Sequence, residues 1–333
     1  MKILVLGTTG QLGWQLMRDL GGSPPRGSSE GEEVPVRVQL LGTTRAQLDV
    51  GHESRAAVEA SLAALLDQHQ PDLVINAIAY TAVDRAESEP ELAAQVNGWF
   101  PGLLGRSTRG APGNTSGIRV VHFSSDYVFD GRSNAPYRES DSPAPLGVYG
   151  ATKREGECAL LEANSRALVL RCSWVVGAHG QNFARTILRL ACERDRLRVV
   201  SDQWGVPTPT RFIVEQLRRV IFPKAAGAAS AGVDRAPAGL FHLVPSGETS
   251  WHGYASWLLE QAREHPGWRG RLRVRADRLE AISSAEYPTA APRPPNSRLD
   301  TQKWRALTRV EALEDWRSAL GGPLENMLSG WPA

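Results

Sequence analysis

Residues 148–157 read VYGATKREGE and set Tyr149 four positions ahead of Lys153. On a helix, residues four apart share a face, so phenol and ammonium can approach one ligand together. Lysine is scarce here: of 38 basic residues only Lys2, Lys153, Lys224 and Lys303 are lysine, and all others are arginine. A compact ammonium on a flexible stem suits tasks that the broad guanidinium fork does not. A free phenol ionises near pH ~10, and a neighbouring ammonium favours the phenolate. Such a pair can pass a proton to a carbonyl oxygen as hydride reaches its carbon, with the ammonium also holding a sugar hydroxyl. Spacing alone allows a blander reading, an incidental pair on a surface helix. Ser125, in SSDYVFDG (124–131), offers a hydroxyl to the same carbonyl; without the Tyr-Lys pair a serine-rich turn is the preferred reading.

These side chains need a scaffold, and the first half of the chain supplies one. Short apolar runs, KILVLG (2–7), VRVQLLG (36–42), DLVINAIA (72–79) and RVVHFSS (119–125), predict strands. The amphipathic segments 11–20, 54–70 and 91–107 predict the helices between them. Near-continuous apolar strands alternating with helices imply a doubly wound parallel sheet, covered on both faces. In such sheets ligands bind at the carboxyl edge, where SSDYVFDG falls. GTTGQLG places Gly7, Gly10 and Gly13 between the first strand and helix, with spacing GxxGxxG rather than GxGxxG. A tight turn needs glycine anyway, but after strand one this turn, with Gln11 and Leu12 opening the helix, points to a dinucleotide pyrophosphate. The second strand ends in LLGTTRAQLDV, without a carboxylate at its tip. Arg45 there suits the 2'-phosphate of NADPH, although it could equally point to water. Asp49 and Val50 follow at the place of an adenine contact.

The second half is less regular, with a strand and loop over 167–177, a helix over 182–195 and a strand and turn over 197–208. Eight of the ten tryptophans lie after residue 170, which predicts aromatic packing anchors for a smaller lobe and one or two cleft-lining indoles. GGSPPRGSSEGEEVP (21–35) and TRGAPGNTSG (108–117) read as surface loops inside the sheet pattern. The formal charge of +2 gives no electrostatic case for nucleic acid or an anionic membrane, and no apolar run reaches membrane-span length. Three cysteines without CxxC spacing indicate neither a disulfide framework nor a zinc site. These features suit a cytoplasmic protein.

The chain resembles the extended short-chain dehydrogenase/reductase family, and within it the enzymes that reduce dTDP-4-dehydro-L-rhamnose. The resemblance spans nearly the whole chain, through GTTGQLGWQL, INAIAYTAVDRAESEPELAAQVN, SSDYVFDG, PLGVYGATKREGE, LRCSWVVG, VVSDQWGVPT and YPTAAPRPPNSRLD. It implies a Rossmann-like NADP-binding domain over 1–172, completed by part of 209–243. A smaller substrate-binding lobe would cover 173–208 and 244–333. It implies reduction of the C4 keto group of dTDP-4-dehydro-beta-L-rhamnose by NADPH or NADH, with Tyr149 as proton donor and Lys153 lowering its pKa. Ser125 stands where relatives often carry threonine. Ala79, Tyr80 and Thr81 match a segment beside the cofactor. Val83, Asp126, Tyr127 and Trp174 match sugar-pocket positions, and Arg293 would lie near the nucleotide diphosphate. Some relatives use Mg2+ bound by carboxylates that bridge a homodimer. Here GWQL puts Gln15 where an acid could stand, so no metal site is carried over, and a homodimer stays open. Two other readings stand beside this one: a reductase or epimerase on another nucleotide sugar, and a non-catalytic regulatory subunit like that of methionine adenosyltransferase.

Overall fold

The computed structural model describes residues 1–21, 38–110, 117–222, 237–268 and 270–331. Most of the two predicted loops, 22–35 and 111–116, therefore lies outside the described residues, as do Lys224 and part of 209–243.

Strand β1 (Lys2–Leu6) leads into helix α1 (Gln11–Asp19), followed by β2 (Gln39–Thr43), α2 (Arg55–His69) and β3 (Leu73–Asn76). β3 ends earlier than its apolar run suggests. The Asn76 side chain accepts the Ile78 N–H at 3.0 Å, which turns the chain out of the sheet. Two short helical turns follow, α3 (Val83–Ala86) and α4 (Pro90–Ala93), and then a π-helical stretch (Ala94–Trp99) that runs into α5 (Phe100–Thr108). β4 (Arg119–Ser125), α6 (Val148–Ala163) and β5 (Leu168–Cys172) complete the first half.

The strand and loop expected over 167–177 resolve into β5, a turn and a second short strand. Trp174 takes φ +43°, a left-handed conformation that ends β5 and starts a separate β6 (Val175–Val176). Beyond it lie α7 (Phe183–Glu193), β7 (Leu197–Val200), β8 (Trp204–Gly205), β9 (Thr208–Pro209) and α8 (Thr210–Ile221). The chain then returns to the main sheet as β10 (Gly239–His242) and continues through β11 (Thr249–Ser250), α9 (Trp251–Glu264), β12 (Leu279–Ile282), α10 (Gln302–Thr308) and α11 (Trp316–Ser329).

The six-stranded sheet has the order β2-β1-β3-β4-β5-β10, and every pair is parallel. The winding reverses between β1 and β3, so a crevice opens outside their carboxyl ends. Successive side chains alternate between the two faces. Leu4 and Leu6 join Leu62, Leu104 and Leu160 on one face, whereas Ile3 and Val5 join Leu16, Phe212 and Leu217 on the other. Each such fully buried aliphatic side chain contributes roughly 1.5–3 kcal/mol. A third apolar cluster gathers α7, α9 and α11 around Leu188, Tyr254, Leu258, Trp268 and Trp316. Among the described residues no helix is long and apolar enough to cross a membrane.

Candidate active site

The glycine turn separates into positions that the fold needs and one that it does not. Gly7 has φ +83°, and a Cβ there would press on Ile78 Cγ1 at 2.9 Å. Gly13 faces back on the same turn, where a Cβ would lie 2.1 Å from the Gly7 carbonyl oxygen. A Cβ on Gly10 would meet only that oxygen at 3.7 Å, an ordinary contact. Gly10 caps α1 without a side-chain bond, so no side chain of the cap claims the first N–H groups of the helix. Open backbone and a helix N-terminus at the switch point fit a pyrophosphate. The Gln11 side chain is engaged elsewhere: its Oε1 accepts the Gly177 N–H and the Asn182 amide, each at 3.0 Å. Leu12 packs against the sheet core.

Arg45 is exposed at the tip of β2, and no carboxylate pairs with it among the described residues. Asp49 binds His52 Nδ1 at 3.0 Å and the N–H groups of Gly51 and His52 at 3.2 Å. Burial works against its ionisation, but the bonds to His52 and to these backbone groups win and lower its pKa. Val50 is buried, and its carbonyl accepts the Gln95 amide at 2.7 Å.

Past β3, Ala79 and Thr81 are exposed while Tyr80 is held at both backbone groups by one side chain. Asn97 Oδ1 accepts the Tyr80 N–H at 2.9 Å, and Asn97 Nδ2 donates to the Tyr80 carbonyl at 3.0 Å. The same amide reaches the Thr152 hydroxyl at 3.5 Å. Asn97 is buried on the π-helical stretch, a feature frequent at functional sites. It was missed in the sequence, where a lone asparagine among the apolar residues of QVNGWF was the available signal.

Ser125 ends β4, and Tyr149 and Lys153 occupy the first two turns of α6. The Ser125 hydroxyl lies close enough to the Tyr149 phenol to act on its ionisation. Burial pushes the Tyr149 phenol up to about 12, Ser125 opposing the rise and the Asp126 charge adding to it. The sequence led to the expectation that Lys153 holds the phenol down; here burial is the larger influence. The Lys153 ammonium instead donates to the Phe123 carbonyl at 2.5 Å, and burial pushes it down to about 8 against the favourable charge of Glu157. A phenol that keeps its proton at neutral pH is the form that can protonate a carbonyl oxygen.

A cleft beside Tyr149 is lined by Val83, Tyr127, Gly150, Ala291 and Pro292. The Tyr127 and Tyr149 rings meet edge to face at 5.9 Å. Arg293 Nη2 binds Asp84 Oδ2 at 2.8 Å and Arg293 Nη1 donates to the Ala291 carbonyl at 2.9 Å, clamping this C-terminal segment against the turn after β3. Asp84 went unrecognised in the sequence, since its partner lies 209 positions away. Asp126 is buried and bonded to Ser125 rather than opening on the cleft. Trp174 stacks on Trp251 with centroids 3.6 Å apart. Gln15, the residue in place of an acid, accepts from Thr210 Oγ1 at 3.2 Å and donates to Asp19.

A doubly wound sheet with a glycine turn at its switch point is the framework of the Rossmann-like nucleotide-dependent reductases. Within that class, the chain belongs to the family described by the RmlD substrate binding domain, whose model matches residues 1–329. A dTDP-4-dehydrorhamnose reductase of Burkholderia thailandensis is 38% identical over 333 residues, covering 99% of this chain and 100% of the relative. The Escherichia coli K12 protein of the same name is 37% identical over 318 residues, 95% of each chain. The crystal structure of dTDP-4-dehydrorhamnose reductase from Bacillus anthracis in complex with NADP superposes with a TM-score of 0.79 at 25% identity, over 97% of this chain and 98% of the other.

Proposed function

We propose that this protein reduces the C4 keto group of dTDP-4-dehydro-beta-L-rhamnose to give dTDP-L-rhamnose, the last step of dTDP-L-rhamnose synthesis. The observation that carries this reading is the placement of Ser125 at the end of β4 beside α6, which carries Tyr149 and, one turn on, Lys153 bonded to the same strand, in a chain of this family. A bound nicotinamide supplies hydride to the carbonyl carbon. Tyr149 gives its phenolic proton to the carbonyl oxygen, and Ser125 orients that oxygen. Lys153, anchored at Phe123, holds a ribose hydroxyl and supports charge on the phenolate after transfer.

Gly10, with the N–H groups of Gln11, Leu12 and Gly13, receives the pyrophosphate. Arg45 selects NADPH over NADH through the 2'-phosphate. Asp49 and Val50 flank the adenine, and Ala79 to Thr81, held by Asn97, run beside the nicotinamide half. Val83, Tyr127 and Trp174 bound the sugar, and Arg293 offers charge to the diphosphate. Residues 1–172 with part of 209–243 thus serve the cofactor, and 173–208 with 244–333 serve the sugar nucleotide.

The deciding experiment follows NADPH absorbance with dTDP-4-dehydro-L-rhamnose for wild type and Tyr149→Phe. Oxidation by wild type, with loss of about 10²-fold or more in the variant and undiminished NADPH binding, is the expected result. No oxidation by a protein that still binds NADPH would move the assignment to another nucleotide sugar or to a regulatory role.

A further inference from the structure

A hydroxyl has a single hydrogen to give. That of Ser125 is already engaged: Oγ donates to Asp126 Oδ1 at 2.8 Å while accepting the Tyr127 N–H at 3.2 Å. Asp126 is 3% exposed, and its second oxygen, Oδ2, is buried without a hydrogen-bond partner. Among the described residues, the groups close enough to Asp126 to interact with it electrostatically are the phenols of Tyr127 and of Tyr149 on α6, the thiol of Cys172 on β5 and the Ser297 hydroxyl of the C-terminal segment. None is a cation. Lys153 is bonded to Phe123 and Arg293 to Asp84. An ionised carboxylate with an orphaned buried oxygen is costly, and the neutral acid less so.

We propose that Asp126 is a positioning residue that sets the direction of the Ser125 hydrogen. As a carboxylate it retains that hydrogen, leaving Tyr149 the sole donor to the carbonyl. As a carboxylic acid it donates to Ser125 Oγ and frees the serine hydrogen for the carbonyl oxygen. The inference rests on the assignment of Ser125 and Tyr149 to carbonyl binding. Burial raises the Asp126 carboxyl to about 6, with the nearby Ser297 and Ser125 hydroxyls opposing the rise, so both states are accessible to an assay.

The test is the pH profile of kcat/KM with dTDP-4-dehydro-L-rhamnose for wild type, Asp126→Asn and Ser125→Ala. In wild type, kcat/KM should fall by about tenfold or more as pH rises through the ionisation of Asp126, since one donor at a carbonyl oxygen is worth about 10²-fold or more. Asp126→Asn should be flat across this range, and Ser125→Ala slower and flat. A merely structural Asp126 would lower the rate without removing the pH step. Persistence of the wild-type step in either variant overturns the proposal. Should Asp126→Asn fail to fold, Ser125→Ala alone decides by the same criterion. A wild type without turnover would instead break the functional assignment. Infrared titration of the buried carboxyl then decides the coupling: Ser125→Ala must raise its midpoint, and an unchanged midpoint overturns the proposal.

Discussion

Arg45 stands exposed at the end of β2, where no carboxylate among the described residues pairs with it and a ligand's anion could. Arg45→Ala should therefore weaken NADPH binding by about 10-fold and leave NADH nearly unchanged, because a charge-assisted bond of about 1.5 kcal/mol is lost to one cofactor only. Titration of both cofactors by fluorescence checks this, and equal losses would remove the 2'-phosphate assignment. Tyr149 and Lys153 illustrate how far residue types carry. Scarcity of lysine marked Lys153, and helical spacing put it on the face of Tyr149. Which group its ammonium would choose was not legible, because the Phe123 carbonyl belongs to a strand 30 positions away. Asp84 and Arg293 escape for the same reason: an ion pair closed by tertiary folding leaves no local spacing to read.

At the scale of elements, the parallel strands were legible because a sheet buried on both faces demands unbroken apolar runs. Two features were not. The turn at Trp174 depends on one left-handed residue of a type that rarely adopts that conformation. The π-helical stretch shifts hydrogen bonding by one residue and hardly alters the apolar period. The glycine turn yields a pair of opposite outcomes. Gly13→Ala, with its Cβ 2.1 Å from a carbonyl oxygen, should destabilise the protein by about 2 kcal/mol or more. Gly10→Ala should change stability by less than about 0.5 kcal/mol yet weaken the dinucleotide at least about tenfold, since it fills space only a ligand would use. Denaturation midpoints and cofactor titration on both variants check the contrast, and equal stability losses would contradict it.

At the scale of the whole molecule, His242 on β10 ties together distant parts of the chain. Its N–H donates to Glu139 at 2.8 Å, its Nδ1 meets the Asp300 carbonyl at 3.2 Å, and its ring stands edge-on to Phe129. Beside it the fully buried Arg171 binds Glu157 through two 2.7 Å bonds. Burial, and then the Arg171 charge, push His242 from 6.5 down to about 3. In that window the unfolded chain binds a proton that the folded chain refuses, so stability is full above pH 6.5 and is lost as pH falls toward 3. His242→Asn should flatten this acid-side loss in chemical denaturation; an unchanged slope would show that the loss arises elsewhere. The π-helical stretch has a consequence of another kind, for ancestry. Gly102 and Gly105 beyond it fit so closely to α6 that a Cβ on either would lie 2.9 Å from Ala159 or Ala163. Deleting one residue there would restore an ordinary helix and leave the residues beyond it in phase, but would shift those in the widened turn itself. That single step would leave the glycine seam against α6 yet pull Asn97 from Tyr80. A lineage that acquired the insertion could then build on it but could no longer discard it.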